Sequence, residues 1–241
     1  MSLWPNRYRD LQASYSWRLR YRLWQSKISG KPTDIVLREA VGAGGFEHMG
    51  AIEVGIVKRL GLQPQHFLID VGCGAGRLAK PLSTYLTGRY SGFDLVHELV
   101  DYARKITNRP DWRFEVVKYI EIPEPDSCAD MVCFFSVLTH LLHEQSFWYL
   151  QEAVRVLKPG GAIVFSFLDF REPSHWQVFL STLKNEKTRK IKPQLNVFLS
   201  RDAIDTWADH LGVRIEGVYS ASESIVPEGP LGQSVCILRK A

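Results

Sequence analysis

Residues 68–77 read Leu68-Ile69-Asp70-Val71-Gly72-Cys73-Gly74-Ala75-Gly76-Arg77. An apolar run ends in three alternating glycines, and the pattern then becomes helical. Such a strand–turn–helix lets a ligand lie against main chain that carries no Cβ, and the N–H groups opening the helix favour an anionic group. A dinucleotide fingerprint spaces its glycines G-x-G-x-x-G. Here the spacing is G-x-G-x-G, and Arg77 stands where the third dinucleotide glycine would fall, which argues against a nicotinamide cofactor.

Downstream of this loop, strands and helices alternate. Apolar runs at 90–93, 112–117, 131–136 and 162–168 read as strands. The first helix is expected over 77–86, the next over 97–107 and a third over 144–157. Lys158-Pro159-Gly160-Gly161 turns the chain into the fifth strand. This alternation implies a mostly parallel α/β sheet with helices on both faces. The tail breaks the pattern. A helix at 200–211, capped by Ser200, precedes strands at 213–219 and 234–238 with no helix between them, so that pair can be antiparallel.

Asp94 follows the second strand, where a carboxylate can accept from both hydroxyls of a ribose; its structural alternative is a helix N-cap. His140 and His143 follow the fourth strand, and His140 is a candidate general base. No further residue at a ligand spacing joins His140, His143 and Glu144, so no metal site is expected. Asp169, at the end of the fifth strand, reads as a substrate contact or as a surface loop carboxylate. Phe46, His48 and Met49 lie in the glycine-rich segment 42–50, expected as a loop that is either a lid or a linker.

These pieces together resemble the class I S-adenosylmethionine-dependent methyltransferases. The resemblance rests on 70–77, on Gly92-Phe93-Asp94, on Ala129-Asp130-Met131-Val132, on 136–141 and on Glu152-Ala153-Val154-Arg155-Val156-Leu157-Lys158-Pro159-Gly160-Gly161. It implies a seven-stranded sheet whose last strand is antiparallel, with S-adenosylmethionine as cofactor. It further implies that Gly72, Gly74 and Gly76 meet the cofactor through the backbone, Asp70 holds its α-amino group, Arg77 pairs with its carboxylate and Asp94 binds its ribose. Phe135 or Ser136 would contact the methionyl part through the main chain. The chain departs from the family where an acidic residue often reads the adenine amino group. Lys118 stands there, followed by Tyr119; lysine has no acceptor, so the resemblance implies that the backbone around Tyr119, or a water, reads the adenine.

Composition bounds the remaining readings. With 241 residues, 45% of them hydrophobic and 23% charged, the chain has the balance of a globular protein able to bury a large core. The four cysteines are scattered, consistent with reduced thiols in a cytoplasmic protein; no run is long enough for a membrane span, and no signal peptide is evident. Given the resemblance, residues 1–65 are expected to form an N-terminal helical cap or lid, 66–241 the Rossmann-like domain, and 170–200 an insertion shaping the acceptor pocket.

Six cations within residues 1–30 (Arg7, Arg9, Arg18, Arg20, Arg22, Lys27) stand against Asp10, a net +5. Since the whole chain carries +4, the rest carries −1. Interleaved with Trp4, Tyr8, Tyr15, Trp17, Tyr21 and Trp24, these arginines admit three readings. The segment contacts nucleic acid, lies on an anionic membrane, or forms a cap helix with aromatics over the pocket and arginines in water. The expected activity is methyl transfer to oxygen or nitrogen of a small or glycan-like acceptor. The alternatives are a protein that binds S-adenosylmethionine or S-adenosylhomocysteine without transfer, and an RNA methyltransferase using the basic N-terminus.

Overall fold

The computed structural model describes residues 7–42, 45–188 and 195–241, the side chains of 7–14 excepted. Trp4, the side chains of Arg7, Tyr8, Arg9 and Asp10, and residues 43, 44 and 189–194 of the segments discussed above lie outside the described residues. Seven strands run in the order β3-β2-β1-β4-β5-β8-β7. They are β1 (Leu68–Val71), β2 (Tyr90–Asp94), β3 (Arg113–Val116), β4 (Ala129–Phe134), β5 (Leu157–Asp169), β7 (Val213–Tyr219) and β8 (Ser234–Lys240). β8 is antiparallel to both neighbours and the other pairings are parallel. A two-residue strand β6 (Phe198–Leu199) pairs with the end of β5.

Side-chain alternation along each strand supplies two cores. Ile69, Val132, Phe134, Phe165 and Phe167 face one way, toward α6 (His143–Val156) and α8 (Arg201–Leu211). Leu68, Met131, Cys133 and Val164 face the other, toward α3 (Phe46–Arg59) and α5 (His97–Thr107). Each of the buried phenylalanines contributes roughly 1.5–3 kcal/mol by leaving water. Ser200 caps α8 by accepting from the Ala203 amide at 3.2 Å. The helix ends at Gly212, which takes the left-handed conformation common after a last turn.

Four elements differ from the sequence expectation, one of them only in its start: β5 begins at Leu157, so Lys158-Pro159-Gly160-Gly161 lie within the strand and not in a turn before it. The first helix after the glycine loop shrinks to α4 (Ala79–Leu82), flanked by turns. Pro81 has no N–H to give to the Arg77 carbonyl, and Gly50 packs so closely there that a Cβ would lie 2.5 Å from that oxygen. Helix α3 begins at Phe46, so Phe46, His48 and Met49 occupy helical turns and not a loop. Within 170–200, where no element is expected, Pro173–Thr188 forms α7. Proline suits its first position. Only His175 on α7 is buried, so the helix has no buried stripe to announce it.

The order of strands reverses at β1 and β4, which opens a crevice at their carboxyl ends. Helix α1 (Arg7–Ser29) and α2 (Thr33–Ala40) lie over that region. They are anchored by Leu19, Leu37 and Phe46 against Leu99 and Tyr102 of α5.

Candidate functional site

A cavity of about 930 Å³ opens at this crevice. Its floor is built by strand ends: Asp70 and Val71 from β1, Phe93 and Asp94 from β2, Val117 beyond β3, and Phe135 and Ser136 beyond β4. Gly72, Cys73, Gly74 and Arg77 form one wall, while Tyr15, Arg18 and Arg22 of α1 and Glu39 to Gly42 close it from above.

The glycine loop is tightly built. Gly72 and Gly74 have φ of +77° and +52°, which only glycine adopts without strain. A Cβ on Gly72 would come within 2.3 Å of Val137, and one on Gly74 within 2.5 Å of Val41. Gly76 does not line the cavity; its missing Cβ lets Ala103 of α5 approach, at 3.1 Å from where a Cβ would be.

Asp94 receives the Gly74 amide on Oδ2 at 3.0 Å and the Val96 amide on Oδ1 at 2.9 Å. It therefore braces the glycine loop and the entry to α5 together. A carboxylate oxygen can accept more than one hydrogen bond, so each retains capacity toward the cavity. Burial pushes its pKa up to about 6, opposed by those amides. Asp70 accepts from the Tyr90 hydroxyl at 2.6 Å. Burial raises it to about 7, with the Tyr90 bond pulling the other way.

Arg77 points into the same wall but is held by an ion pair of its Nη2 with Glu53 at 2.5 Å, and its Nη1 donates to the Val41 carbonyl at 2.7 Å. Glu53 is buried among Ile52, Ile56 and Val57 of α3, and burial raises its pKa against the pull of Arg77. The sequence analysis missed this partner, although a glutamate on the apolar face of a helix is a legible signal.

Lys118 and Tyr119 are exposed and stand outside the cavity wall, because β3 ends at Val116 and Val117 turns inward in their place. Ser136 adopts φ +61° at the end of β4, a conformation that costs a non-glycine residue energy and clusters at functional sites. Its amide donates to Ser166 Oγ at 2.7 Å, and that hydroxyl donates to Gln233 Oε1 at 2.7 Å. Gln233, from the β7–β8 connection, also lines the cavity; no local pattern marks it.

His140 ends a 3-10 turn (Leu138–His140) and lines the cavity. Its Nδ1 lies 2.7 Å from the Leu195 carbonyl, so the neutral ring carries its proton on Nδ1. Burial lowers its pKa, the Leu195 bond opposes that, and the charge of Arg18 lowers it further. His143 instead bonds the Phe198 carbonyl at 3.0 Å and packs edge-on against Trp207, outside the cavity lining. Asp169 is neither a surface carboxylate nor part of the cavity lining. It is fully buried, pairs with Arg201 at 3.0 Å and accepts from the Arg171 amide at 2.9 Å, tying β5 to α8. Among the described residues no group of three or more His, Cys, Asp or Glu side chains is placed to hold a metal ion.

Helix α1 departs in part from the cap-helix reading, in which aromatics cover the pocket and arginines face water. Tyr15, Arg18 and Arg22 look into the cavity, while Trp17, Tyr21 and Trp24 are exposed. Residues 15, 19 and 22 share the body-facing side of a 3.6-residue helix, which leaves 17, 21 and 24 on the opposite side. No helix of the described residues is long and apolar enough to cross a membrane.

Residues 69–165 match the family model of a methyltransferase domain. The chain is 25% identical over 166 residues to the 27-O-demethylrifamycin SV methyltransferase of Amycolatopsis mediterranei, covering 66% of this chain and 58% of that protein. It is 28% identical over 170 residues to the demethylmenaquinone methyltransferase of Tropheryma whipplei, covering 69% and 65%. The chain spans about a third to two thirds of the length of the curated relatives it matches. In fold it is similar to the magnesium protoporphyrin IX methyltransferase of Synechocystis, solved with S-adenosylhomocysteine bound: TM-score 0.60, 16% identity, 81% of this chain and 84% of that one.

Proposed function

We propose, on the premise that the methyltransferase domain matched at residues 69–165 is of the class I S-adenosylmethionine-dependent kind, that the cavity seats S-adenosylmethionine on its strand-end floor while a small acceptor is methylated on oxygen or nitrogen beneath α1. The observation that carries the reading is Asp94. Its two oxygens each hold one backbone amide and keep acceptor capacity at the carboxyl end of β2, matching the two hydroxyls of a ribose.

The rest of the donor set fits. Asp70 places a carboxylate where an α-ammonium can meet it, Gly72 and Gly74 bare the backbone, and Arg77 offers N–H groups to a carboxylate beyond those given to Glu53 and Val41. Phe135 and Ser136 supply main chain at the end of β4. Cys73 and Val117 wall the region in place of Lys118 and Tyr119. About 930 Å³ falls at the large end of small-molecule sites, leaving volume for an acceptor.

When bound, S-adenosylmethionine supplies a sulfonium methyl group that passes in line to a nucleophile. The protein's own part is to align the acceptor and exclude water, which the roof of α1 and α2 serves. For a hydroxyl acceptor, neutral His140 can take the proton on Nε2, a contribution of about 10²–10⁴-fold. An enclosed roof suits a small or glycan-like acceptor better than a polymer, and the names of the two relatives above refer to a rifamycin and a menaquinone precursor.

Calorimetric titration with S-adenosylhomocysteine and, separately, NAD tests the cofactor assignment on the wild type and on Asp94→Ala, with circular dichroism melting as the folding control. Saturable binding of the homocysteine nucleoside, weakened tenfold or more (about 1.4 kcal/mol) by the substitution and absent for NAD, is expected. A folded wild type that binds neither would overturn the reading. Positive binding opens a screen for transfer of labelled methyl to small hydroxyl, amine and carboxylate compounds.

A further inference from the structure

The outward face of α1 is not used by the cavity. Trp17, Tyr21, Trp24 and Ile28, spaced four, three and four residues apart, form one stripe and are 66%, 44%, 58% and 69% exposed. The first three rings stack in series, with centroids 5.5 and 5.9 Å apart. Leu19, on the opposite side, is buried against the body. Water-facing tryptophans at helical spacing on an element already anchored from behind have no structural task in the monomer. An exposed apolar patch of this kind marks an interaction surface.

We propose that this face of α1 binds an anionic membrane surface, the helix lying in the plane of the headgroups with its aromatic stripe inward. Charge supports this occupant. Residues 1–30 carry a net +5 against −1 for the rest of the chain; Arg18 and Arg22 of that count face the cavity, and exposed Arg20 and Lys27 flank the stripe. Arg20 and Arg22 pair with Glu98 and Glu39, but exposed pairs of this sort are worth little and do not cancel the segment's net charge. Tryptophan and tyrosine suit the headgroup level, and basic residues beside them add attraction to anionic lipid.

Two other occupants fit less well. A two-fold partner made by a second copy would bring Arg20 and Lys27 toward their own copies, and four side chains on one helix fall short of a stable interface of about 20–30 residues a side. A nucleic acid would need ring faces on which to stack bases, whereas Trp17 and Tyr21 stack on each other at an interplanar angle of 10°.

The test is co-sedimentation of the full chain with phosphatidylcholine vesicles and with equimolar phosphatidylserine–phosphatidylcholine vesicles, at low and high salt. The comparison proteins are Trp17→Ala/Trp24→Ala and, as a control for the other exposed apolar helix, Leu180→Asn/Leu183→Asn on α7. The expected result is binding to the anionic vesicles only, weakened by salt, and reduced about tenfold or more in the tryptophan variant but not in the α7 variant. Both variants should keep wild-type affinity for S-adenosylhomocysteine. The proposal is overturned by no vesicle binding, by equal binding to both vesicle types, or by loss in the α7 variant alone. It is equally overturned if the tryptophan variant loses a concentration-dependent dimer in light scattering, or binding of a labelled single-stranded oligonucleotide, while vesicles bind neither protein.

Discussion

Replacing Arg77 by methionine keeps most of the side chain's length and removes the charge that faces Glu53. The two side chains are 12% and 2% exposed, so water cannot take over the role of the lost guanidinium. Truncating one partner of a buried ion pair costs about 3–5 kcal/mol, mostly from the charge left alone. For a protein of this size 1 kcal/mol corresponds to roughly 2–4 °C, so a fall in Tm of roughly 6–20 °C at neutral pH is expected. The loss must depend on pH. Burial already holds the Glu53 pKa above 4.5, and without Arg77 it rises further. The native variant then binds a proton that the unfolded chain releases, and its stability falls as pH rises through and beyond 4.5. Wild type and variant should converge in acid and diverge toward neutrality.

Scanning calorimetry across that range is the assay, with Glu53→Met/Arg77→Met as the decisive companion. Removing both charges leaves an apolar contact between α3 and the glycine loop, and stability should return to within about 1–2 kcal/mol of wild type. Affinity for S-adenosylhomocysteine should not return, because a charge-assisted bond to the ligand carboxylate, worth about 1.5–3 kcal/mol, is still missing. An Arg77→Met protein that melts within a degree or two of wild type at neutral pH, or loses equal stability in acid, would refute the buried-pair argument. Full recovery of ligand affinity in the double variant would confine Arg77 to a structural role.

Asp70→Asn should become progressively more stable than wild type as pH rises from 3.8 toward about 7, because the raised native pKa is a stability contribution lost over that window; thermal melts at several pH values check it. Wild-type affinity for S-adenosylhomocysteine should drop as pH falls through about 6, where Asp94 takes up its proton, and titration of Asp94→Asn should show that step flattened. Gly72→Ala combines a left-handed φ with a Cβ 2.3 Å from Val137 and should cost at least about 2 kcal/mol in denaturant unfolding, of which Val137→Ala recovers only the steric share. With a hydroxyl acceptor in hand, His140→Gln should slow transfer by about 10²–10⁴-fold in single turnover and leave nucleoside affinity unchanged.

The sheet was legible because its signals are local. Apolar runs marked β1, β2, β4 and β5, with glycines beside β1 and in β5, Ser200 marked the start of α8, and the helix-free join between β7 and β8 marked the antiparallel end. What escaped reading depends on relations between distant segments. Pro81 sits in a helical pattern, yet only the packing of Gly50 against Arg77 shows how the turn is cut short. Helix α7 has no buried stripe, so periodicity had nothing to report. Asp169 read equally as a substrate contact or a surface loop carboxylate, and only the fold shows it buried against Arg201, 32 residues on. Lys118 was placed by counting along the chain, whereas the inward turn of Val117 decides which residue faces the cavity.

The facing of α1 is the same lesson applied to energetics. Composition offered arginines and aromatics in one helix, and the usual preference would bury the rings and expose the charges. Here Tyr15 and Leu19 anchor the helix, and their angular position turns Arg18 and Arg22 inward, onto a cavity that already holds Asp70 and Asp94. Arginines can be tolerated there because the carboxylates opposite keep the enclosure from accumulating one sign of charge; burial still raises Asp70 against the pull of Tyr90 and Arg77, and Asp94 against its backbone amides. A ligand carrying an ammonium and a sulfonium relieves the cost of that burial directly, so binding should draw protons off Asp70 and Asp94. The same rotation leaves Trp17, Tyr21 and Trp24 in water. One helix thus links the closure of the cavity to the exposure of an aromatic face, and neither can be changed by rotating α1 without undoing the other.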